Sequence, residues 1–379
     1  MTDLVVLSLE AWDQVWRRNQ YLVAGLLRTN PHLRVFFVEP AADPLYELTS
    51  RRVPRLGRGV RAVELEGVGP GRLWSYQPTK ALPRRLDRRV DERAARGVWR
   101  AARRLGFSDP VLWVNDPSGA TTLALTGWPA LYDITDDWLE AERTLAEHDR
   151  LVRDEALLMR QCAEVVVCSR TLVRTKGAVR RVTLVPNAVD VESYRVPRDR
   201  PADLPDGPVA LYLGTIHTDR IDVDLCVATA TALGGRGHLV LVGPAPLGAA
   251  DAQRLASAGV VLLGAKDRDD VPAYLQHADV LVVPHVVTPF TESLDPIKLY
   301  EYRAVGRPVV STPVAGFRDS GDPHVTLADG PTFAAAVAGS LPAASGFPEG
   351  ADADVPTWAD RVEQMRQVIE RVWRSDSDN

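Results

Sequence analysis

Short, continuously apolar runs punctuate the first half of the chain: "LVVLSL" (4–9), "RVFFVE" (34–39), "VLWVN" (111–115), "ALYDI" (130–134) and "EVVVCS" (164–169). Between them lie longer segments whose apolar residues return at helical spacing. A run that is apolar at every position suits a strand covered on both faces. Such strands alternating with helices predict a parallel sheet between helical layers. The alternation stops at "PRDRPADLPDGP" (197–208), which has four prolines in twelve positions and reads as an exposed linker. It restarts with "PVALYLG" (208–214), "HLVLVG" (238–243), "GVVLLG" (259–264), "DVLVVP" (279–284) and "RPVVST" (307–312).

The pattern predicts an α/β protein of two Rossmann-like domains, residues 1–196 and 197–356, followed by a C-terminal segment, 357–379. In that segment Trp358, Val362, Met365, Ile369 and Val372 form one apolar stripe, so an amphipathic helix is expected to pack back on the first domain, with "SDSDN" as a disordered tail. A length of 379 residues agrees with two cores rather than one.

Composition narrows the functional classes. Hydrophobic content of 45% and charged content of 25% are ordinary globular values, and a net charge of -5 gives no footprint for nucleic acid. The three cysteines show no CxxC spacing, so neither a disulfide framework nor a zinc site is expected and a reducing cytoplasm fits. No apolar run reaches the length of a membrane span, and "MTDLVVLSLEAW" lacks the marks of a signal peptide. Residues 80–104 hold ten basic side chains against three acidic ones. With Leu82, Leu86, Val90, Ala94 and Val98 recurring every four residues, they read as a cationic amphipathic helix, either a solvated face or a peripheral contact with the inner membrane surface.

One stretch concentrates chemistry: "TESLDPIKLYEYRAVGRPVVST" (291–312). Asp295 before Pro296 reads as a helix start, with Asp295 as cap and Gly306 as stop. Free amides at such a start attract anions, a diphosphate among them, although the Asp295 carboxylate would compete. Lys298, one turn inside, can offset that repulsion or pair with Glu301. The carboxylate of Glu301 can accept two hydrogen bonds from a vicinal diol such as a ribose, or be a plain helix-face charge.

Read with "YLGTIHTDRID" (212–222), "DVPAYLQHADVLVVP" (270–284), "YDITDDW" (132–138) and "LVPNAVD" (184–190), this stretch resembles the GT-B glycosyltransferases of family four and their relatives. The likeness is concentrated in residues 160–315. It implies the GT-B fold, two Rossmann-like domains facing each other across a cleft, in a bacterial, retaining, metal-independent enzyme. No cofactor is implied, only a UDP- or GDP-linked sugar as donor substrate and a hydroxyl acceptor. In the family two glutamates seven residues apart flank the sugar and the ribose. The second aligns with Glu301, whereas counting back places Ser293 at the first, with Glu292 one residue out of register. Contacts to the donor are therefore assigned to Glu292, Ser293, Leu294, Asp295, Pro296 and Ile297. The resemblance adds the turn Gly214-Thr215 with His217 for the diphosphate and Lys266 for the nucleobase.

Departure of a diphosphate needs fixed positive partners, which Arg220, Lys298 and the helix start supply. The histidine that many relatives carry at the end of a first-domain strand falls here near Thr135 or Asp136, so Asp136 is the candidate base toward the acceptor. Asp136 and Asp137 have a second reading as caps of a helix beginning "DWLEAERTL". Loops after strands also place Glu10, Asp13, Arg17 and Asn19 on the acceptor side. "DITDD" (133–137) looks like a metal motif but is not assigned one. Two other readings stay open: a nucleotide-sugar epimerase of the same fold and a noncatalytic nucleotide-sugar-binding subunit. A nicotinamide site does not fit, because "GVGPG" (67–71) and "GGRG" (234–237) are loops without the strand-turn-helix context.

Overall fold

The computed structural model describes residues 3–49, 53–80, 82–84, 86–87, 89–341 and 354–377. The chain forms two compact units, one of Met1–Pro186 with Trp358–Asn379 and one of Asn187–Thr357.

In the first unit the strands are β1 (Leu4–Leu7), β2 (Val35–Val38), β3 (Gly59–Ala62), β4 (Leu73–Gln77), β5 (Val111–Val114), β6 (Ala130–Ile134), β7 (Glu164–Val167) and β8 (Thr183–Leu184). They form one sheet in the order β3-β4-β2-β1-β5-β6-β7-β8. All neighbours are parallel except the β3–β4 pair. Strands β1, β2, β5 and β6 are buried at every position, the signature of a sheet with helices on both faces. The sequence "GVGPG" lies in the connection between the antiparallel β3 and β4.

The helix Trp358–Ser377 belongs to this first unit. Trp358, Val362, Met365, Ile369 and Val372 are all buried, and the helix lies against the helix Arg18–Thr29. Gly25 permits that approach, since a Cβ there would collide with the Val362 side chain. Tyr21 stacks on Trp358 with ring centres 4.7 Å apart. The expected tail is shorter than "SDSDN", because the helix continues to Ser377 and Asp378 and Asn379 lie outside the described residues.

The second unit holds β9 (Val209–Leu213), β10 (His238–Val242), β11 (Val261–Gly264), β12 (Val280–Val283), β13 (Val309–Ser311) and β14 (Val325–Leu327), all parallel, in the order β11-β10-β9-β12-β13-β14. The proline-rich segment 197–208 packs on this unit instead of bridging freely. Gln276 accepts from the Arg198 amide at 2.9 Å, Leu204 is buried, and Asp203 accepts from the Tyr274 hydroxyl at 2.6 Å. The division accordingly falls at Pro186 and Asn187, ahead of the prolines.

The basic segment also differs from the periodic reading. Its helix starts at Val90 and ends at Arg104, and it buries Ala95, Val98, Ala101 and Ala102. Leu82, Leu86 and Ala94 are exposed, so the four-residue stripe is not the packed face. A helix advances 3.6 residues per turn, and the small alanines one position further round allow closer contact. Ala81, Arg85 and Arg88 lie outside the described residues.

Candidate functional site

The order of the second sheet makes its connections diverge beside β9 and β12, the place where open α/β sheets form a crevice at their carboxyl ends. Gly214 directly follows β9, and its φ is 137°. A Cβ there would lie 2.9 Å from Lys298 Nζ and 3.1 Å from Tyr212 Oη. Gly243 directly follows β10 at φ 144°, and a Cβ on it would collide with the Gly214 carbonyl. Both positions combine a left-handed backbone with a close approach, so both require glycine.

The loops after β9 and β12 are laced together. Arg220 O accepts from the Val286 amide at 2.9 Å, and Pro284 O accepts from the Asp222 amide at 2.9 Å. This lacing gathers Tyr212, Arg220, His285 and Lys298. Lys298 Nζ donates to Tyr212 Oη at 2.7 Å and lies 3.4 Å from His285 Nε2. Tyr212 Oη and His285 Nε2 are 3.1 Å apart. The Arg220 guanidinium sits over the Phe290 ring, 5.1 Å from its centre. Burial lowers the Lys298 ammonium to about 7, Arg220 pushes it the same way and Glu301 opposes. Burial, then Lys298 and Arg220, hold the His285 imidazole well below its ordinary range, so the histidine is neutral.

The helix carrying Lys298 runs Ile297–Val305, and its cap is Pro296, not Asp295. The Asp295 carboxylate accepts instead from the Asn187 amide at 2.6 Å and from Tyr300 Oη at 2.8 Å. The expected competition for the helix amides therefore does not arise. Glu301 accepts from Tyr194 Oη at 2.7 Å. Its carboxyl is raised by burial, against the Tyr194 bond and Lys298.

The remaining candidates in this unit are placed as follows. Glu292 pairs with Arg318 at 2.8 Å. Ser293 is buried and donates to Phe290 O at 2.7 Å. Leu294 and Pro296 join the 3-10 turn Thr291–Ser293 to the helix that starts at Ile297, and Gly316 leaves room for the Pro296 ring. Thr215 O accepts from Tyr212 Oη at 3.3 Å. His217 is exposed, and its carbonyl closes the turn that carries Arg220. Lys266 is not brought to the Lys298 cluster: it pairs with Asp203 at 2.6 Å, with the Tyr274 ring 5.4 Å away.

In the first unit Glu10 has a buried Oε2 with no hydrogen-bond partner among the described residues. Burial raises its carboxyl to about 7, opposed by Arg17 and reinforced by Asp136 and Asp13. Glu10, Arg17 and Asp136 therefore share one electrostatic neighbourhood. Asp13 accepts from the Val15 amide at 2.9 Å and lies 3.8 Å from Arg17. Asp136 accepts from Thr135 Oγ1 at 3.1 Å. Asn19 is drawn inward, its amide donating to Ser8 Oγ at 3.1 Å and Asn115 Oδ1 at 2.9 Å, so this side chain braces the ends of β1 and β5.

The acids of "DITDD" diverge. Asp133 takes two bonds from Arg18 at 3.2 Å and one from Trp113 Nε1 at 3.3 Å. Asp137 meets Lys176 at 2.8 Å, and Lys176 meets Glu155 at 2.7 Å. No helix begins at Asp136 or Asp137: the next one starts at Leu145, capped by Thr144 in a box with Glu147. Among the described residues no group of three or more His, Cys, Asp or Glu side chains is arranged to hold a metal.

Tyr212 and His285 are site residues that the sequence reading passed over. The available signal was "VVPHVV", a histidine set directly after a buried strand.

Residues 207–341 match the family described as Glycosyl transferases group 1. A glycosyltransferase of Bacillus subtilis assigned by name to teichuronic acid biosynthesis, TuaH, is 26% identical over 230 residues, which span 56% of this chain and 58% of that protein. Sucrose-phosphate synthase from Thermosynechococcus elongatus superposes with a TM-score of 0.69 at 18% identity, covering 99% of this chain and 100% of that one. Anabaena HepE in complex with UDP-glucose superposes at 0.61 with 14% identity, covering 100% of both chains. At these identities the solved structures establish the fold, which is GT-B with two Rossmann-like domains.

Proposed function

We propose that the chain is a glycosyltransferase that takes a nucleoside diphosphate sugar on its second unit and passes the sugar to a hydroxyl acceptor. The observation that carries this reading is the meeting of Lys298 and Arg220 at the Gly214 turn, beside the start of the helix Ile297–Val305. Breaking the bond from sugar to diphosphate leaves negative charge on the leaving group. The Arg220 guanidinium, Lys298 in its charged form and the helix amides stabilise that charge as it develops. Metal independence is part of the proposal and rests on these cations; retention of anomeric configuration rests on the family likeness. Glu301 receives the ribose diol. On the first unit, Glu10 and Asp136 supply the carboxylates that orient the acceptor hydroxyl, with Arg17 beside them.

The HepE complex makes UDP-glucose the first donor to try, and the TuaH name points to a saccharide of an envelope polymer as acceptor. The test is a melting screen against UDP-, GDP- and ADP-sugars, repeated with Glu301→Ala. A ligand at 100 times its Kd stabilises the native state by about 2.7 kcal/mol, and the variant should lose that shift. Absence of any shift at millimolar nucleotide rejects the donor site. A shift with neither transfer nor hydrolysis marks a binding subunit, and sugar conversion without acceptor marks an epimerase.

We place the protein in the cytoplasm, in peripheral contact with the inner membrane face. Among the described residues no helix is long and apolar enough to cross a membrane. The contact rests on exposed Arg93, Arg96 and Arg100 with exposed Leu82, Leu86 and Trp99. Co-sedimentation with phosphatidylglycerol vesicles but not phosphatidylcholine vesicles, reversed by salt, is the expected result. Equal recovery with both, or with neither, rejects the contact.

A further inference from the structure

The chain has four lysines, Lys80, Lys176, Lys266 and Lys298. Three of them end on carboxylates: Lys80 on Asp43 at 2.6 Å, Lys176 on Asp137 and Glu155, and Lys266 on Asp203. Lys298 alone makes no ion pair among the described residues. Its Nζ ends on a phenol and a neutral imidazole, both buried.

The surroundings of Lys298 explain the difference. From β9 it meets Tyr212, and from the segment after β12 it meets His285; Arg220 acts on it from the loop after β9. On its own helix, Glu301 is bonded to Tyr194 of the helix Val191–Arg195, and Tyr302 Oη accepts from the Leu213 amide at 3.0 Å. The nearby carboxylate is thus held by a tyrosine, and the nearby guanidinium repels. A half-buried cation so placed gains its ordinary charge stabilisation only when an anion arrives.

Resting on the donor-site reading above, we propose that Tyr212 and His285 are positioning residues that hold Lys298 at the Gly214 turn, and that donor diphosphate binds together with one proton taken up by Lys298. The step is balanced: a proton from solvent joins the lone pair of Nζ, no other bond changes, and the ammonium then faces the diphosphate oxygens. Tyr212 keeps the amine within reach by accepting its hydrogen bond. His285, uncharged, adds an acceptor without adding a second cation.

The sign of the pH effect follows from linkage. Burial and Arg220 lower the Lys298 ammonium of the free protein to about 7, and a bound anion opposes that shift. Donor binding should therefore take up most of a proton at pH 8 and little at pH 6, and the Kd should rise with pH above about 7.

Two measurements test this. With 13C-labelled lysine, four ε-methylene signals are observable, and the one missing in Lys298→Arg should titrate near pH 7 in the free protein. Four signals that all stay charged through pH 9 overturn the inference without any ligand being needed. Calorimetry with UDP-glucose, GDP-mannose and ADP-glucose in buffers of different ionisation heat then counts protons. Binding at pH 8 with no uptake overturns the inference and leaves the donor site standing, whereas no binding by any of the three removes both. Tyr212→Phe and His285→Leu should each weaken binding about tenfold and move the Lys298 titration. A loss of affinity with that titration unmoved would make them merely structural.

Discussion

Lys298→Ala should lower kcat/KM for the donor by a factor of about 10² to 10³, the usual effect of removing one group that stabilises developing charge, with no loss of folded stability. The two halves of this result have different causes. Lys298 is the cation nearest the Gly214 turn, so its removal leaves Arg220 and the helix amides to face the leaving diphosphate. In the free protein, however, the half-buried ammonium sits against a phenol and an imidazole, with a guanidinium repelling it. Because burial depresses its folded value below the unfolded one, the group binds protons more readily when unfolded, and wild-type stability gains from it as pH rises from about 7 toward 10. The alanine variant should lack that rise and be at least as stable at pH 7. Steady-state kinetics beside urea melts at pH 7 and pH 9 check both halves. A variant that keeps its turnover, or loses turnover only because it unfolds, contradicts the assignment.

Lys176→Met should destabilise the first unit by about 3–5 kcal/mol, since removing one partner leaves uncompensated buried charge. Lys176, Asp137 and Glu155 are each less than a tenth exposed at the side chain. Burial alone would lower the Lys176 ammonium, but Glu155 and Asp137 raise it above its ordinary value. Its contribution is therefore present up to the ordinary lysine range and is lost only at higher pH. Burial raises the Glu155 carboxyl despite Lys176. Without the lysine that carboxyl rises further, so the variant should recover part of the deficit on acidification toward pH 5 by protonating Glu155. Fluorescence is well suited to the measurement, because all nine tryptophans lie in the first unit. An equal deficit at pH 5 and pH 8 would contradict this account.

The strands with continuous apolar runs were legible in the sequence, most of them because they are buried on both faces, and the edge strand β11 because Val261–Leu263 is apolar throughout although only half-buried. The edge strands β3, β8 and β14 were not. Strand β3 alternates half-buried and exposed positions, and β8 has only two residues, too little for a period to register. At the site, a helix start near Asp295 was legible from the Asp-Pro step, yet the role of Asp295 was not. The amide that captures its carboxylate belongs to Asn187, more than a hundred residues earlier. The same holds for Glu301, where local spacing offered Lys298 as partner and the fold supplied Tyr194. Asp137 read as a cap because Lys176 and Glu155 are remote in sequence and meet it only through the helices Leu145–Gln161 and Arg170–Gly177. Lys266 followed the family's order along the chain, but Asp203 from the proline-rich segment holds it. Local chemistry could be read wherever both partners sit within a turn or two; the rest depended on which strands the sheet order brings together.

The chain leaves its first unit at Pro186 and returns at Trp358. Synthesis runs from the N-terminal side onward, so the helix that covers Gly25 and stacks on Tyr21 is made after every strand of both units. Until it emerges, the surface of the helix Arg18–Thr29 that meets Val362 and Trp358 has no cover, even though its neighbours in the sheet are already present. The second unit, whose residues are contiguous, has all its strands before that point. The first unit is thus closed only after the second has been made.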